Sequence, residues 1–300
     1  MGYEREHEHA PGTPSWVDLA SPDLVVSARF YGGLLDWDTA TRGPADVTGG
    51  SLAFQVEGRD VAGVAPMAAG AVAAGEPPAW TVHIAVRDVD EVEGVVVSNG
   101  GATLIAPTDV RDDGRMAMFS DPTGAVFGVW QAGNHAGAEM VGVPGAMCWG
   151  QLASRSIEAA KRFYGAVFGW QGFTSPYETS TYTRFRLDGR EVAGMVEMDR
   201  SWPRGLPSHW MPYFAVDDCD GVAAAATELG GDVAVEPYDM PEIGRAAVLG
   251  DPHGAVFTVL TPEAGFKGLQ LYNAPVARAM VDSPGSARAE PDVMAERPST

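Results

Sequence analysis

Gly114–Trp130 reads GRMAMFSDPTGAVFGVW, and Gly244–Leu260 reads GRAAVLGDPHGAVFTVL. Each contains an Asp-Pro-x-Gly-Ala turn, Asp121–Ala125 and Asp251–Ala255, in which Pro presets φ and Gly supplies a backbone conformation that other residues resist. Apolar residues alternate into and out of each turn, the period-2 pattern of paired strands. A closing hairpin that occurs twice predicts two modules.

The flanking sequence repeats with it. Trp16 recurs as Trp149, 133 residues on, Phe30-Tyr31 as Phe163-Tyr164, and Trp37 as Trp170. EGRDVAG (Glu57–Gly63) recurs as DGREVAG (Asp188–Gly194), 131 residues on. In the first module the pattern predicts strand 14–20, helix 24–35, strands 51–56 and 61–67, a Gly/Pro-rich connector 68–78, strand 79–86, helix 89–99, strand 102–105 and the hairpin. Gly100-Gly101 stops the second helix, as Gly230-Gly231 stops helix 222–229 in the repeat. The expected organisation is a flexible N-terminus 1–12, module 13–132, linker 133–144, module 145–261 and a disordered tail 262–300. Segments 38–50 and 172–180 read as loops.

Composition narrows the function classes. The chain carries 20 Lys and Arg against 40 Asp and Glu, a formal net charge of −20. That argues against a nucleic acid or an anionic membrane as partner, because phosphate contacts need clustered cations. With Cys148 and Cys219 alone, no disulfide framework is expected. No apolar run reaches the ~18 residues of a membrane span, and Met1–Pro14 lacks an apolar signal core. The expectation is a cytoplasmic protein.

Four β-α-β-β-β motifs, the Ser27–Tyr31 and Ala160–Tyr164 segments ending in Phe-Tyr, and the Asp-Pro-x-Gly-Ala-x-Phe hairpins resemble the vicinal oxygen chelate superfamily. That group includes glyoxalases, extradiol dioxygenases, fosfomycin-resistance proteins and bleomycin-binding proteins. The resemblance covers residues 13–261 and is closest to tandem actinobacterial "hydroxylase" or "glyoxalase-like" members, some of which serve antibiotic pathways. It implies an α+β fold in which four βαβββ motifs form two cup-shaped mixed sheets with helices on the outside. It also implies metal-ligand positions, which fall on Trp16, Pro66, Ala79 and Gly128 in the first module. In the second they fall on Trp149, Glu197, His209 and Thr258. Indole offers only an N–H donor, and a divalent ion needs three or four ligands. Glu197 and His209 make half a site, so no metal or other cofactor is expected, a divalent ion at Glu197 and His209 being the alternative.

If the cup faces are as the resemblance implies, strand alternation lines the first cup with Trp16, Asp18, Thr81, His83 and Trp130. The second receives Trp149, Gln151, Glu197, His209, Met211 and Tyr213. Aromatic walls with a few polar groups suit a planar molecule. The indoles either stack on a ligand or plug the cups themselves. The leading expectation is therefore a metal-free protein that binds a small aromatic molecule, antibiotic or polyketide-like, for drug binding or as a biosynthetic accessory. The alternative is an isomerase, lyase or oxygenase-type enzyme using Glu197 and His209, or Asp18 and His83, as acid and base. A self-filled scaffold is the third reading. The duplication supplies its own pseudo-dimer, which leaves monomer and homodimer both open.

Overall fold

A computed structural model describes residues 9–42, 49–177 and 180–269. The expectations for residues 1–8 of the N-terminus and for the tail beyond Leu269 lie outside the described residues.

The first module contains β1 (Pro14–Ser21), α1 (Leu24–Leu35), β2 (Asp38–Thr41), β3 (Leu52–Val56) and β4 (Arg59–Pro66). It continues with α2 (Ala69–Ala74), β5 (Ala79–Ala85), α3 (Val89–Ser98), β6 (Ala102–Val110), β7 (Gly114–Ser120) and β8 (Val126–Ala132). The second contains β9 (Met147–Ser154), α4 (Ile157–Phe168), β10 (Gln171–Tyr177), β11 (Ser180–Leu187) and β12 (Arg190–Glu197). β13 (His209–Ala215), α5 (Cys219–Glu228), β14 (Asp232–Met240), β15 (Gly244–Gly250) and β16 (Val256–Pro262) complete it. Both segments read as loops contain edge strands, β2 and β10. Their side chains are mostly exposed, so apolar alternation does not mark them.

Each module builds one eight-stranded sheet, ordered β2-β3-β4-β1-β5-β8-β7-β6 and β10-β11-β12-β9-β13-β16-β15-β14. The two motifs of a module meet at the antiparallel β1–β5 and β9–β13 pairs, so no strand is exchanged between modules. Alternation divides each sheet cleanly. Val17 and Leu19 are fully buried in the apolar core with Trp80, Val82 and Ile84, while Trp16 and Asp18 point to the opposite, cup face.

The repeated motifs lock the modules together. Tyr31 donates to Asp251 of the other module's turn (3.3 Å) and accepts from Trp80 Nε1 (2.9 Å). Tyr164 likewise donates to Asp121 (3.1 Å) and accepts from Trp210 Nε1 (2.8 Å). Burial and the facing carboxylate both push these phenols well above the ordinary tyrosine range, so both stay protonated donors. Asp121 and Asp251 also cap their own turns, each accepting the amide of the Ala four residues on (3.0 and 2.9 Å). Phe30 and Tyr31 pack on Phe257, and Phe163 and Tyr164 on Phe127, giving a pseudo-twofold aromatic interface. Arg115 pairs with Asp90 and Asp109, and Arg245 with Asp220 and Asp239, at equivalent hairpin bases.

The duplication runs past the hairpins. After β8, residues 133–139 cross the first cup, and Ala138 donates its amide to Ser15 (2.7 Å). After β16, residues 263–269 take the same course, and Leu269 donates to Cys148 (2.8 Å). The segment 133–139, read as linker, and 263–269, read as tail, are equivalent straps over the two cups.

Candidate functional site

In the first cup the chain packs its own side chains against the indole. Its strap inserts His135 edge-on against Trp16, with ring centroids 4.6 Å apart, and against Trp130 at 5.6 Å. Trp130 Nε1 donates to the His135 carbonyl (2.9 Å). Arg42 lies over Trp16, 5.7 Å from the ring centroid, pairs with Asp60, and places Nη2 3.2 Å from His135 Nδ1. Gln55 donates to the same Asp60 (2.8 Å). Burial, followed by the charges of Arg42, His9 and His83, lowers the His135 pKa to about 3, so the imidazole is neutral and Nδ1 is free to accept.

Asp18 and His83 meet on the same cup face, His83 Nε2 lying 2.7 Å from the Asp18 carboxylate, whose side chain stays 36% exposed. His83 is 2% exposed and Thr81 beside it 8%. The His83 ring covers Gly128 so closely that a Cβ there would fall 2.1 Å from Nδ1. Any larger residue at Gly128, a carboxylate included, would displace the imidazole.

The second cup is open. Trp149 and Tyr182 form its floor, Trp149 Nε1 donating to the Tyr182 hydroxyl (3.0 Å), and Tyr182 lies flush on Gly194. A Cβ on Gly194 would meet that hydroxyl at 1.8 Å and Trp149 Nε1 at 2.7 Å, and one on Gly63 would crowd Trp16 at 3.2 Å, so the glycine of each VAG triplet makes room for a cup indole. The second strap places Phe266, equivalent to His135, 6.1 Å from Trp149. Between them lies a cavity of about 1010 Å³, whose walls include Trp149, Gln151, Tyr182, Arg184, Tyr213 and Phe266. Burial holds the Tyr213 phenol protonated, well above its ordinary range.

The expected residues divide accordingly. Trp149, Gln151 and Tyr213 line the cavity; Trp16, Asp18, Thr81, His83 and Trp130 belong to the first cup. His209 shares the cup face but sits half-buried at the strand entrance, with Nδ1 2.9 Å from the Pro207 carbonyl. Met211 is 6% exposed and lies outside the cavity lining. Glu197 pairs in register with Ser154, next to Met195 on Leu152, which puts it on the sheet's far face, where it accepts from Thr181 (3.0 Å). The structure therefore does not bring Glu197 and His209 together as a couple. Tyr182, Arg184 and Phe266 were missed, because strand 180–187 follows a stretch read as loop and Phe266 falls in the stretch read as tail.

A divalent ion does not fit these positions. Indoles occupy two of them, His83 covers Gly128, Glu197 faces away, and among the described residues no three His, Cys, Asp or Glu side chains converge. Among the described residues, no helix is long and apolar enough to cross a membrane.

Residues 13–129 match the Glyoxalase/Bleomycin resistance protein/Dioxygenase superfamily and residues 151–260 a Glyoxalase-like domain. CFP32 of Mycobacterium tuberculosis, which carries a provisional glyoxylase name, is 40% identical over 260 residues, covering 86% of this chain and 98% of its own. The anthracycline biosynthesis protein DnrV of Streptomyces peucetius is 40% identical over 267 residues, covering 86% and 96%. Among solved structures, the Mn(II)-bound glyoxalase of Novosphingobium aromaticivorans shares the fold at TM-score 0.58 and 15% identity, over 84% of this chain and 82% of that one.

Proposed function

The chain belongs to the glyoxalase/bleomycin resistance protein/dioxygenase superfamily, and from that premise we propose that it binds a planar aromatic small molecule in its second cup. The observation that carries this reading is the cavity of about 1010 Å³ between Trp149, Tyr182, Tyr213 and Phe266. Its size is at the top of the range of small-molecule sites, ~300–1000 Å³, and suits a polycyclic ligand. Stacking on the indole adds ~0.5–1.5 kcal/mol beyond area burial. Gln151 and the Tyr213 phenol supply polar contacts for ring oxygens. The relatives named for anthracycline biosynthesis support a polyketide-type ligand, and with it a role in handling such a compound.

The test is titration with a panel of anthraquinones and anthracyclinones, read by tryptophan fluorescence. Saturable quenching is expected, with affinity falling about tenfold in Trp149→Ala, the upper end of the stacking range, and unchanged in Trp16→Ala. A panel that never quenches, or a Trp149→Ala variant that binds as tightly as the parent, would refute the reading.

A further inference from the structure

The two modules serve as controls for each other, because the same three cup-facing positions differ between them. On β3 and the residue before it they are Ser51, Ala53 and Gln55; on β11 they are Tyr182, Arg184 and Arg186. The register is the same in both copies, Ala53 standing opposite Gly63 and Arg184 opposite Gly194. The first cup thus has neutral, non-aromatic side chains where the second has one phenol and two guanidiniums.

The charges are also balanced differently. In the first cup Asp60 is matched by Arg42 and Gln55. In the open cup the equivalent acid, Glu191, is shared, 3.0 Å from Arg186 and 3.7 Å from Arg184. Arg184 keeps 47% of its side chain exposed and lines the cavity. Asp188 and Glu242 also line it, but on exposed turns at its rim, where Arg190 and Lys267 stand with them. A cavity with four Arg and Lys against three carboxylates is unusual in a chain with twice as many acids as bases.

We propose that the ligand of the second cup carries a carboxylate, which Arg184 receives with Arg186 while the rings lie against Trp149 and Tyr182. This rests on the aromatic-binding reading above. Residues two apart on one face of a strand are separated by about 7 Å, close to one ring's width beyond the stacked system. A guanidinium fork meets a carboxylate with two parallel N–H donors, a geometry that neutral substituents do not reproduce.

The experiment compares 9,10-anthraquinone-2-carboxylate with 9,10-anthraquinone-2-carboxamide, titrated calorimetrically into the full chain. The acid is expected to bind at least tenfold more tightly, with that preference falling at high salt. Arg184→Gln should abolish the preference, read as the ratio of the two probes' affinities within that variant. Glu191→Gln, which removes the competing carboxylate, should increase it. Equal binding of the two probes to the parent overturns the carboxylate assignment and leaves the aromatic site standing. A preference untouched by both Arg184→Gln and Arg186→Gln overturns the residues named. Binding of neither probe removes the aromatic reading, and this inference with it.

Discussion

His135 and Phe266 stand at equivalent places on the two straps, and they approach their indoles differently. The imidazole reaches 4.6 Å from Trp16 and lies 3.2 Å from Arg42, whereas Phe266, 6.1 Å from Trp149, leaves space behind it. A neutral buried histidine also carries a pH signature. With its folded pKa lowered from 6.5 to about 3, protons favour the unfolded chain throughout that window. The contribution is fully present above pH ~6.5 and is lost as pH falls, by at most about 1.4 kcal/mol per pH unit. His135→Phe, the residue of the other strap, should therefore lose less stability than the parent between pH 7 and about 5 in urea unfolding. Equal losses in both proteins would show that His135 is not held neutral.

At the scale of the element, the repeated motifs serve packing across the molecule more than local geometry. Gly100 and Gly230 take the left-handed conformation expected of a helix stop, at φ +86° and +88°. The second glycine of each pair answers to the other module: a Cβ on Gly231 would lie 2.7 Å from the Phe30 ring and 2.6 Å from the Gly250 carbonyl. Gly231→Ala should thus cost about 1–3 kcal/mol by overpacking, measurable as a lower urea midpoint at unchanged slope. A change within about 0.5 kcal/mol would mean that the interface yields there. Strand existence was legible where apolar alternation marks a buried face, as in β1 and β5, and not at the exposed edges β2 and β10. Facing was less legible. Glu197 was assigned to the cup by motif spacing, but its pairing with Ser154 sets its side. Register is a property of two strands, and one sequence shows only one of them at a time.

Over the whole molecule, the duplication was readable from Trp16/Trp149, Phe-Tyr and Asp-Pro-x-Gly-Ala alone, and it carried the fold. What those motifs do was not readable. The Asp of each turn accepts a hydrogen bond from the Phe-Tyr tyrosine of the other module, over a sequence separation of 220 residues in one case and 43 in the other. The straps were hidden for a different reason: Gly/Ala-rich and mixed polar composition reads as linker or tail, and only the cup beneath gives such a segment a partner. The asymmetry of the cups was present as Ser51-Ala53-Gln55 against Tyr182-Arg184-Arg186, yet it acquires meaning only once those positions are known to face inward. The frame is symmetric, but one cup holds His135 against its indole while the other keeps a cavity of about 1010 Å³ beside its own. The most direct test is the calorimetric stoichiometry of 9,10-anthraquinone-2-carboxylate on the parent chain and on Trp149→Ala. One site per chain is expected in the parent, weakened in Trp149→Ala; two sites per chain, or one site indifferent to Trp149, would show that the second cup is not the binding site.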